Sequence, residues 1–411
     1  MESARLIAGL ARVTGDVGVA EELAQDALVA ALEQWPGEGI PDKPGAWLMG
    51  TAKHRAIDHV RRRALHQRKE AQIARELEAQ AEPVERDLDD DIGDDLLRLI
   101  FTACHPILST DARAALTLRL LGGLSTEEIA RAYLVPEATI AQRVVRAKKT
   151  LADARVPFEV PQAGARAARL SSVLEVIYLI FNEGYSATAG DDWMRPALCD
   201  DALRLGRVLA ELVPNEPEVH GLVALMEVQA SRTGARTGPS GEPILLLDQN
   251  RSRWDQLLIR RGLAALERAQ ALGGASGPYV LQAAIAACHA RARTAGETDW
   301  RRIAALYEEL ARVTPSPIVE LNRALAVAMA FGPAAGLEIL DALTSEPSLE
   351  EYHRLPSARG ELLMKLGRHE EARAAFERAA SLTRNARERE MLLQRAVTTA
   401  MSTEDQYNPR A

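Results

Sequence analysis

Two stretches of this sequence carry the residue types that contact nucleic acids. The first runs from Lys53 to Lys69 and is strongly basic, with a single acid, Asp58. Trp47 precedes it closely. Lys and Arg bind phosphates, and aromatic rings stack on unpaired bases. The pattern favours contact with phosphates and unstacked bases, and a basic helical face that meets only solvent is the alternative.

The second stretch, from Leu124 to Leu151, has the layout of a helix-turn-helix. Ser125 and Glu128 form a predicted capping box, and Pro136 suits the first turn of the following helix. In that second helix an apolar stripe is predicted to face inward, formed by Ile140, Val144, Ala147 and Leu151. The outward positions mix base-reading and phosphate-binding side chains, namely Glu137, Ala138, Thr139, Gln142, Arg143, Arg146 and Lys149. This face predicts DNA binding.

No arrangement of residues predicts catalysis or a metal centre. Acids such as Asp248 and Asp255 have no nucleophile, phosphate loop or metal-ligand spacing beside them. The three cysteines are far apart, and Cys104 with its neighbour His105 is expected to serve packing and capping. We therefore predict no active site, no cofactor and no bound metal.

The elements that position these residues are predicted to be helices. The 411 residues are 47% hydrophobic but only 4% aromatic, with abundant Ala, Leu, Arg and Glu, which indicates an all-α protein. From Ala20 to Leu32, small and apolar residues recur at helical spacing and predict one buried face that includes Leu32. The opposite face carries an acidic strip, either a solvated surface or a docking face for a basic partner. A stiff loop is expected from Trp35 to Pro44, followed by a helix from about Gly45 to Arg63.

Charge separates the chain into segments. The net charge is −8, yet the basic stretch is followed at once by an acidic one, residues 70–95, which we predict to be a linker. The predicted domains are residues 1–69, 96–156 and 166–411, with prolines near 157–165 marking the last boundary. No apolar run reaches the length of a membrane span, and no leader pattern is visible at the start. The expectation is a soluble, cytoplasmic protein.

The last segment shows a repeat pattern. Between Pro356 and Leu382, the small-residue and aromatic positions match a tetratricopeptide (TPR) helix pair, namely Gly360, Gly367, Ala372, Phe376 and Ala379. Comparable but weaker helix pairs precede it. Such stacked pairs form concave surfaces that bind peptides or protein segments. A purely structural support for the rest of the chain is the alternative.

The linked set of motifs resembles a sigma factor of the extracytoplasmic-function (ECF) group in the sigma-70 family. The segment from Ala20 to Trp35 resembles the part of sigma region 2 that docks on RNA polymerase, and Pro44 to Arg63 resembles the part that melts and reads the −10 element. The helix-turn-helix resembles sigma region 4, which reads the −35 element. Two further segments, Tyr178–Ala187 and Leu245–Asp255, resemble the subgroup with a long TPR-like C-terminal extension.

The resemblance implies a role for each matching position. The β′ clamp helices of core RNA polymerase would contact Glu21, Glu22, Gln25 and Asp26. The −10 element would be bound by Trp47, Lys53, His54, Arg55, Asp58, Arg61 and Arg62. The −35 element would be read by Glu137, Ala138, Thr139, Gln142, Arg143 and Arg146. The extension would bind a protein or peptide and control activity in cis.

Two other functions remain open at this point. A helix-turn-helix regulator that acts without polymerase could use the repeats to dimerise. The chain could also be a TPR-type interaction scaffold, or even an enzyme, in which the sigma-like part has lost its role. Specific promoter binding only in the presence of polymerase distinguishes the sigma factor from both.

Overall fold

The chain forms α-helices joined by short turns, as the composition predicts. A computed structural model describes residues 2–66, 88–133, 135–186, 194–239 and 241–407, and it contains no strand within these ranges. The side chains of some helical residues, such as 58–66 and 88–94, lie outside this description. The chain divides into two compact units, residues 1–179 and 180–411. No helix in the described ranges is long and apolar enough to cross a membrane.

The first unit contains both nucleic-acid motifs. Its helices are α1 (Glu2–Thr14), α2 (Val17–Glu38), α3 (Pro44–His66), α4 (Leu88–Ala103), α5 (Thr110–Thr117), α6 (Thr126–Tyr133), α7 (Glu137–Asp153) and the first part of α8 (Ala163–Tyr185). A π-helical turn, Leu118–Gly122, follows α5. Helix α1 is central, since it packs against α2, α3, α4 and the π-turn.

Helix α2 begins at a side-chain cap and extends further than predicted. Asp16 accepts hydrogen bonds from the amides of Gly18 and Val19, which satisfies two amides of the first turn. The helix continues through Pro36 to Glu38, and Gly39 ends it at a φ of 87°. The predicted loop from Trp35 is therefore wrong in its first part, because residues 35–38 still belong to the helix. Leu32 is also misplaced by the prediction, since 76% of its surface is exposed.

The predicted linker at residues 70–95 ends earlier than expected. Residues 67–87 lie outside the described ranges, but α4 already begins at Leu88, within the predicted linker. Asp95 is only 4% exposed. Its carboxylate lies 2.7 Å from Arg98 and 3.4 Å from Arg12 of α1. These two cations neutralise the acid, and the end of the acidic stretch therefore packs as part of a helix.

The second boundary also differs from the predicted one. Helix α8 is continuous through residue 166, and its first part is held to the first unit. Arg169 donates to the carbonyl oxygen of Phe101 at 2.8 Å, and the Ser172 hydroxyl donates to that of Cys104 at 2.7 Å. Arg113 reaches Glu175 at 3.0 Å. The unit boundary consequently lies inside α8, near residue 179, instead of at the prolines near 157–165.

The second unit is a succession of helices that pack on their neighbours in sequence. After the end of α8, it contains α9 (Pro196–Leu212), α10 (Pro217–Ala230), α11 (Gln256–Ala271), α12 (Pro278–Arg291), α13 (Trp300–Val313), α14 (Pro317–Phe331), α15 (Pro333–Ala342), α16 (Arg354–Lys365), α17 (His369–Leu382) and α18 (Ala386–Tyr407). Short 3₁₀ turns, including Thr233–Ala235 and Arg251–Arg253, lie in the connections. This arrangement confirms an all-α fold throughout the described chain.

The contact predicted between α16 and α17 is present. A Cβ placed on Gly360 would lie 2.9 Å from the ring of Phe376, so the two helices approach too closely for a larger residue. Phe376 is fully buried, as are Ala372 and Ala379 on the same helix. Phe376 belongs to the same apolar cluster as Leu392 of α18, and Arg395 of that helix lies with its Cζ 5.3 Å from the centre of the Phe376 ring. The ring therefore lies among three helices.

Removing the Phe376 ring tests this packing. We expect Phe376→Ala to destabilise the second unit by about 3–5 kcal/mol, because truncating a buried aromatic leaves a cavity. Phe331→Ala is the matched control, since Phe331 is 61% exposed and the same atoms are removed at the surface. Thermal unfolding followed by circular dichroism measures both changes. Equal shifts in the two variants would contradict the proposed packing role of Phe376.

Candidate nucleic-acid interface

The helix-turn-helix is built as its sequence predicts. The Ser125 amide donates to the Glu128 carboxylate at 2.7 Å, and the Glu128 amide donates to the Ser125 hydroxyl at 3.1 Å. These reciprocal bonds form the predicted capping box at the start of α6. Pro136 stands immediately before α7 and serves as its cap residue. Helix α6 ends at Tyr133, α7 begins at Glu137, and the two helices pack on each other.

Helix α7 has one buried and one exposed face. The predicted inward residues are all buried, namely Ile140, Val144, Ala147 and Leu151. On the opposite face, Glu137, Ala138, Gln142 and Arg146 are exposed, while Thr139 is half-buried. Arg143 is half-buried because it forms an ion pair with Asp111 of α5 at 2.9 Å. That pair is accessible to water and contributes little stability, so Arg143 can exchange Asp111 for another acceptor.

The basic helix α3 exposes its first cations. Lys53, His54 and Arg55 are exposed, and Trp47 is half-buried near the start of the helix. His54 Nδ1 lies 2.8 Å from the Gly50 carbonyl oxygen, one turn earlier, and is placed to donate to it. For the other predicted residues, Asp58, Arg61 and Arg62, only the helical backbone is described and the side chains lie outside the described part.

Two tryptophans support the loop between α2 and α3. The rings of Trp35 and Trp47 meet edge to face, with centroids 5.5 Å apart and an angle of 63° between their planes. This geometry is favourable for aromatic pairs. It holds the last turn of α2 against the first turn of α3, and it fixes the two ends of the connection at residues 39–43.

One residue of the acidic strip on α2 is buried, and the other three predicted contact residues are exposed. Glu22, Gln25 and Asp26 are exposed, whereas Glu21 is only 4% exposed. The Glu21 carboxylate accepts from Arg119 Nε, in the π-turn, at 2.7 Å and forms an ion pair with Lys148 of α7. Sequence periodicity alone placed all four on one outer strip, and it gave no signal that cations from the second motif would cover Glu21.

The exposed side of α2 also carries apolar residues that the sequence reasoning missed. Val29 is 53% exposed and Leu32 is 76% exposed. They continue the line of Glu22, Gln25 and Asp26 at helical spacing, which was the available signal. The outer face of α2 therefore combines acidic, polar and large apolar side chains. A mixed face of this kind fits a protein partner better than plain solvent.

Cys104 and His105 have structural roles. Cys104 is buried, with its sulfur 3.3 Å from the Thr117 hydroxyl, and burial raises the pKa of the thiol to about 11. The thiol is therefore protonated and poorly reactive at neutral pH. His105 Nδ1 accepts from the Ile107 amide at 3.1 Å and thereby closes the turn after α4. Among the described residues, no group of His, Cys, Asp and Glu could hold a metal ion.

Family comparisons agree with the two motifs. Residues 2–66 match the model of sigma-70 region 2, and residues 98–151 match that of sigma-70 region 4. Residues 169–270 match a family of unknown function, DUF6596. The region 4 match covers α6 and α7 as far as residue 151.

Individual relatives differ in how much of this chain they match. An uncharacterized protein of Rhizobium meliloti (strain 1021) is 44% identical over 384 residues, which is 92% of this chain and 89% of the relative. The ECF RNA polymerase sigma factor SigC of Mycobacterium tuberculosis is 33% identical over 140 residues, covering 33% of this chain and 70% of the relative. The probable RNA polymerase sigma-C factor of Mycobacterium bovis matches to the same extent.

These likenesses and the paired motifs define a class of transcription initiation factors that bind DNA and have no enzymatic activity of their own. The chain belongs to the sigma-70 family of RNA polymerase sigma factors, within its ECF group.

Loss of the Glu21 carboxylate should destabilise the first unit. Breaking a buried ion pair costs about 3–5 kcal/mol, and the cost here should fall toward the lower end because Arg119 and Lys148 keep part of their hydration. Glu22→Ala is the matched control, since the carboxylate of Glu22 is next in the chain and is exposed. Thermal unfolding of Glu21→Ala and Glu22→Ala provides the comparison. If Glu21→Ala melts within experimental error of Glu22→Ala, the ion pairs do not hold this unit together.

Proposed function

We propose that this protein directs core RNA polymerase to its promoters through three helices of the first unit. Helix α2 docks on the β′ clamp helices, α3 binds and opens the −10 element, and α7 reads the −35 element in the major groove. The second unit modulates this activity. Family membership supports the general role, and the exposed faces of the three helices support the assignment of each.

The single observation that carries the promoter assignment is the outer face of α7. A helix supported by a buried stripe and a capped partner helix presents its other side as a rigid surface. Gln142 and Arg146 project from that surface at adjacent turns and can form paired hydrogen bonds with base edges. Arg143 joins them once it leaves Asp111. The N-terminal residues Glu137, Ala138 and Thr139 lie where a recognition helix meets the bases.

Helix α3 is suited to the single-stranded part of the promoter. Lys53 is exposed and available to phosphates. Arg55 is also exposed, but it forms an ion pair with Asp26 of α2 at 3.2 Å and must exchange this carboxylate for a phosphate. Trp47 provides an aromatic ring beside the loop at residues 39–43, and such a ring can stack on an unpaired base. By resemblance, His54, Asp58, Arg61 and Arg62 complete this surface. Capture of unstacked bases, together with phosphate contacts, would favour the open promoter over the duplex.

Helix α2 is proposed to meet polymerase through its mixed outer face. Glu22, Gln25 and Asp26 supply charge and hydrogen bonds, and Val29 with Leu32 supplies apolar area. Such a face suits a partner surface that combines basic and apolar side chains. Glu21 can take part only after its contacts with Arg119 and Lys148 are released. Participation of Glu21 in the proposed complex therefore requires α2 and α7 to move apart.

The second unit is proposed to be a TPR-like array that controls the sigma factor in cis. The tight contact of Gly360 with Phe376 and the packing of consecutive helices support this assignment. Arrays of this kind bind peptides or protein segments on their concave side. A protein or peptide ligand is therefore the proposed input for the control.

Arg146 provides a direct test of promoter reading. We expect Arg146→Ala to weaken promoter binding by the holoenzyme by about 5- to 150-fold, because one good arginine–base contact contributes about 1–3 kcal/mol. Arg312→Ala is the control, since Arg312 is an exposed arginine of the second unit. Filter retention of labelled promoter DNA, with and without core polymerase, measures both. Tight specific binding without polymerase, or equal effects of the two variants, would contradict the proposal.

A truncated chain tests the modulating role of the second unit. The truncation should follow Ser186, because the first part of α8 packs on the first unit and a cut near residue 165 would remove it. We expect transcript yield with core polymerase to change by more than about twofold relative to the full chain. Circular dichroism must first show that the truncated chain is folded. A folded truncation with the yield of the full chain under all conditions would exclude modulation in cis.

A further inference from the structure

Val145 is an exposed apolar residue in the middle of α7. It is 64% exposed, and within the fully described helix α7 it is the one large apolar side chain on the outer surface. Valine also has a lower helix propensity than alanine. Neither burial in this unit nor helix formation therefore accounts for a valine at this position. A single exposed apolar residue needs no partner by itself, so its surroundings decide its role.

The outer face of α7 has an apolar edge and a polar edge. Each residue of an α-helix is turned by about 100° from the one before it, which places Ala138, Ala141 and Val145 on one line. All three are exposed. Gln142 and Arg146 form a second exposed line directly beside the first. One edge thus offers apolar side chains, and its neighbour can form hydrogen bonds.

The position of Val145 along α7 fits the reach of a helix that lies in the major groove. Helix α7 begins at Glu137. At a rise of about 1.5 Å per residue, Val145 lies about 12 Å from this start, a distance close to the width of the major groove. Lys149, one turn further on, is exposed and suits a phosphate at the rim of the groove. Val145 therefore lies in the last turn whose side chains still reach base edges.

The chemistry of the major groove limits what an exposed valine can contact there. The C5 methyl of thymine is the apolar substituent that base edges present in this groove, and the other distinguishing groups are hydrogen-bond donors and acceptors. Valine offers neither a donor nor an acceptor, so packing it on a polar edge group would remove water without replacing its hydrogen bond. Packing it on a thymine methyl removes apolar surface from water on both sides and is favourable.

We propose that Val145 packs on the methyl group of a thymine in the −35 element and thereby selects thymine at one position. The inference rests on the proposed role of α7 in reading that element. Ala138 and Ala141 have short side chains, which allow this edge of α7 to approach the bases closely.

Gln142 supports this assignment from the polar edge. Glutamine can form paired hydrogen bonds with adenine in the major groove. Gln142 and Val145 are separated by about 4.5 Å along the helix, whereas successive base pairs are separated by about 3.4 Å. The two side chains can therefore contact the same A·T pair or two adjacent pairs. Val145 adds a contact on the thymine side that Gln142 does not make.

The test replaces thymine by uracil, which pairs in the same way but lacks the methyl group. Holoenzyme formed from the full chain and core polymerase first selects its promoter from a pool of duplexes. Each thymine of the −35 element is then replaced singly, and competition filter retention measures the relative affinity. At one position we expect uracil to weaken binding about fourfold, the effect of one buried methyl group.

Val145→Ala identifies the thymine that Val145 contacts. We expect holoenzyme with this variant to bind the thymine and uracil duplexes with nearly equal affinity at that position, and to keep the wild-type effect of uracil at every other position. Val397→Ala is the matched control, since Val397 is 61% exposed on α18 in the second unit. It should keep the full effect of uracil. Circular dichroism should show both variants folded, because alanine is a good helix former.

The possible failures separate this inference from the proposed function. Specific promoter binding with the same uracil effects in wild type and Val145→Ala, or with no thymine in the selected −35 element, would overturn the inference alone. An equal loss of affinity for every duplex in Val145→Ala would assign Val145 to a contact with polymerase and would also overturn it. Holoenzyme without any specific promoter binding would overturn both the inference and the proposed function.

Discussion

The first unit depends on one buried carboxylate. Glu21 of α2 is almost inaccessible to water, and two cations from the region 4 part, Arg119 and Lys148, surround it. Removing a carboxylate from water is unfavourable unless such partners replace its hydration. The ion pairs therefore tie α2 to the π-turn and to α7, and they add to the packing of α1 on α4 and the π-turn, which joins the same two sigma regions.

This constraint also determines which surfaces remain available. Lys148 reaches Glu21 from the side of α7 that faces inward, so Gln142 and Arg146 on the other side stay exposed. On α2, the residues beyond Glu21 form a separate outer face that ends at Leu32. The proposed DNA-reading and polymerase-docking surfaces are therefore accessible in this arrangement, except for Glu21 itself. Full engagement of polymerase would compete with the ion pairs.

The sequence predicted those features that depend on residues close together in the chain. The capping box of Ser125 and Glu128, the buried stripe of α7 and the Gly360–Phe376 contact each follow from local spacing. Features that depend on distant partners were not predictable in this way. Local charge places Asp95 in the predicted acidic linker, whereas the structure places it in a helix beside Arg12. The helical spacing likewise predicts that Glu21 is exposed, because the sequence does not show that Arg119 and Lys148 cover it.

The domain boundary shows the same limit. Prolines near residue 160 are a reasonable linker signal, but hydrogen bonds from Arg169 and Ser172 attach the start of α8 to the first unit. The contacts of Arg232 with the rings of Tyr185 and Trp254 were not predictable from local spacing either, because the three residues belong to separate segments of the chain.

Run-off transcription tests the central claim most directly. Purified full-length protein would be combined with core RNA polymerase and a pool of genomic fragments from the source organism, and transcripts would be mapped with each component omitted in turn. The account predicts discrete transcripts with shared upstream elements that require both the protein and core polymerase. A folded protein that binds DNA specifically by itself yet yields no polymerase-dependent transcript would contradict it.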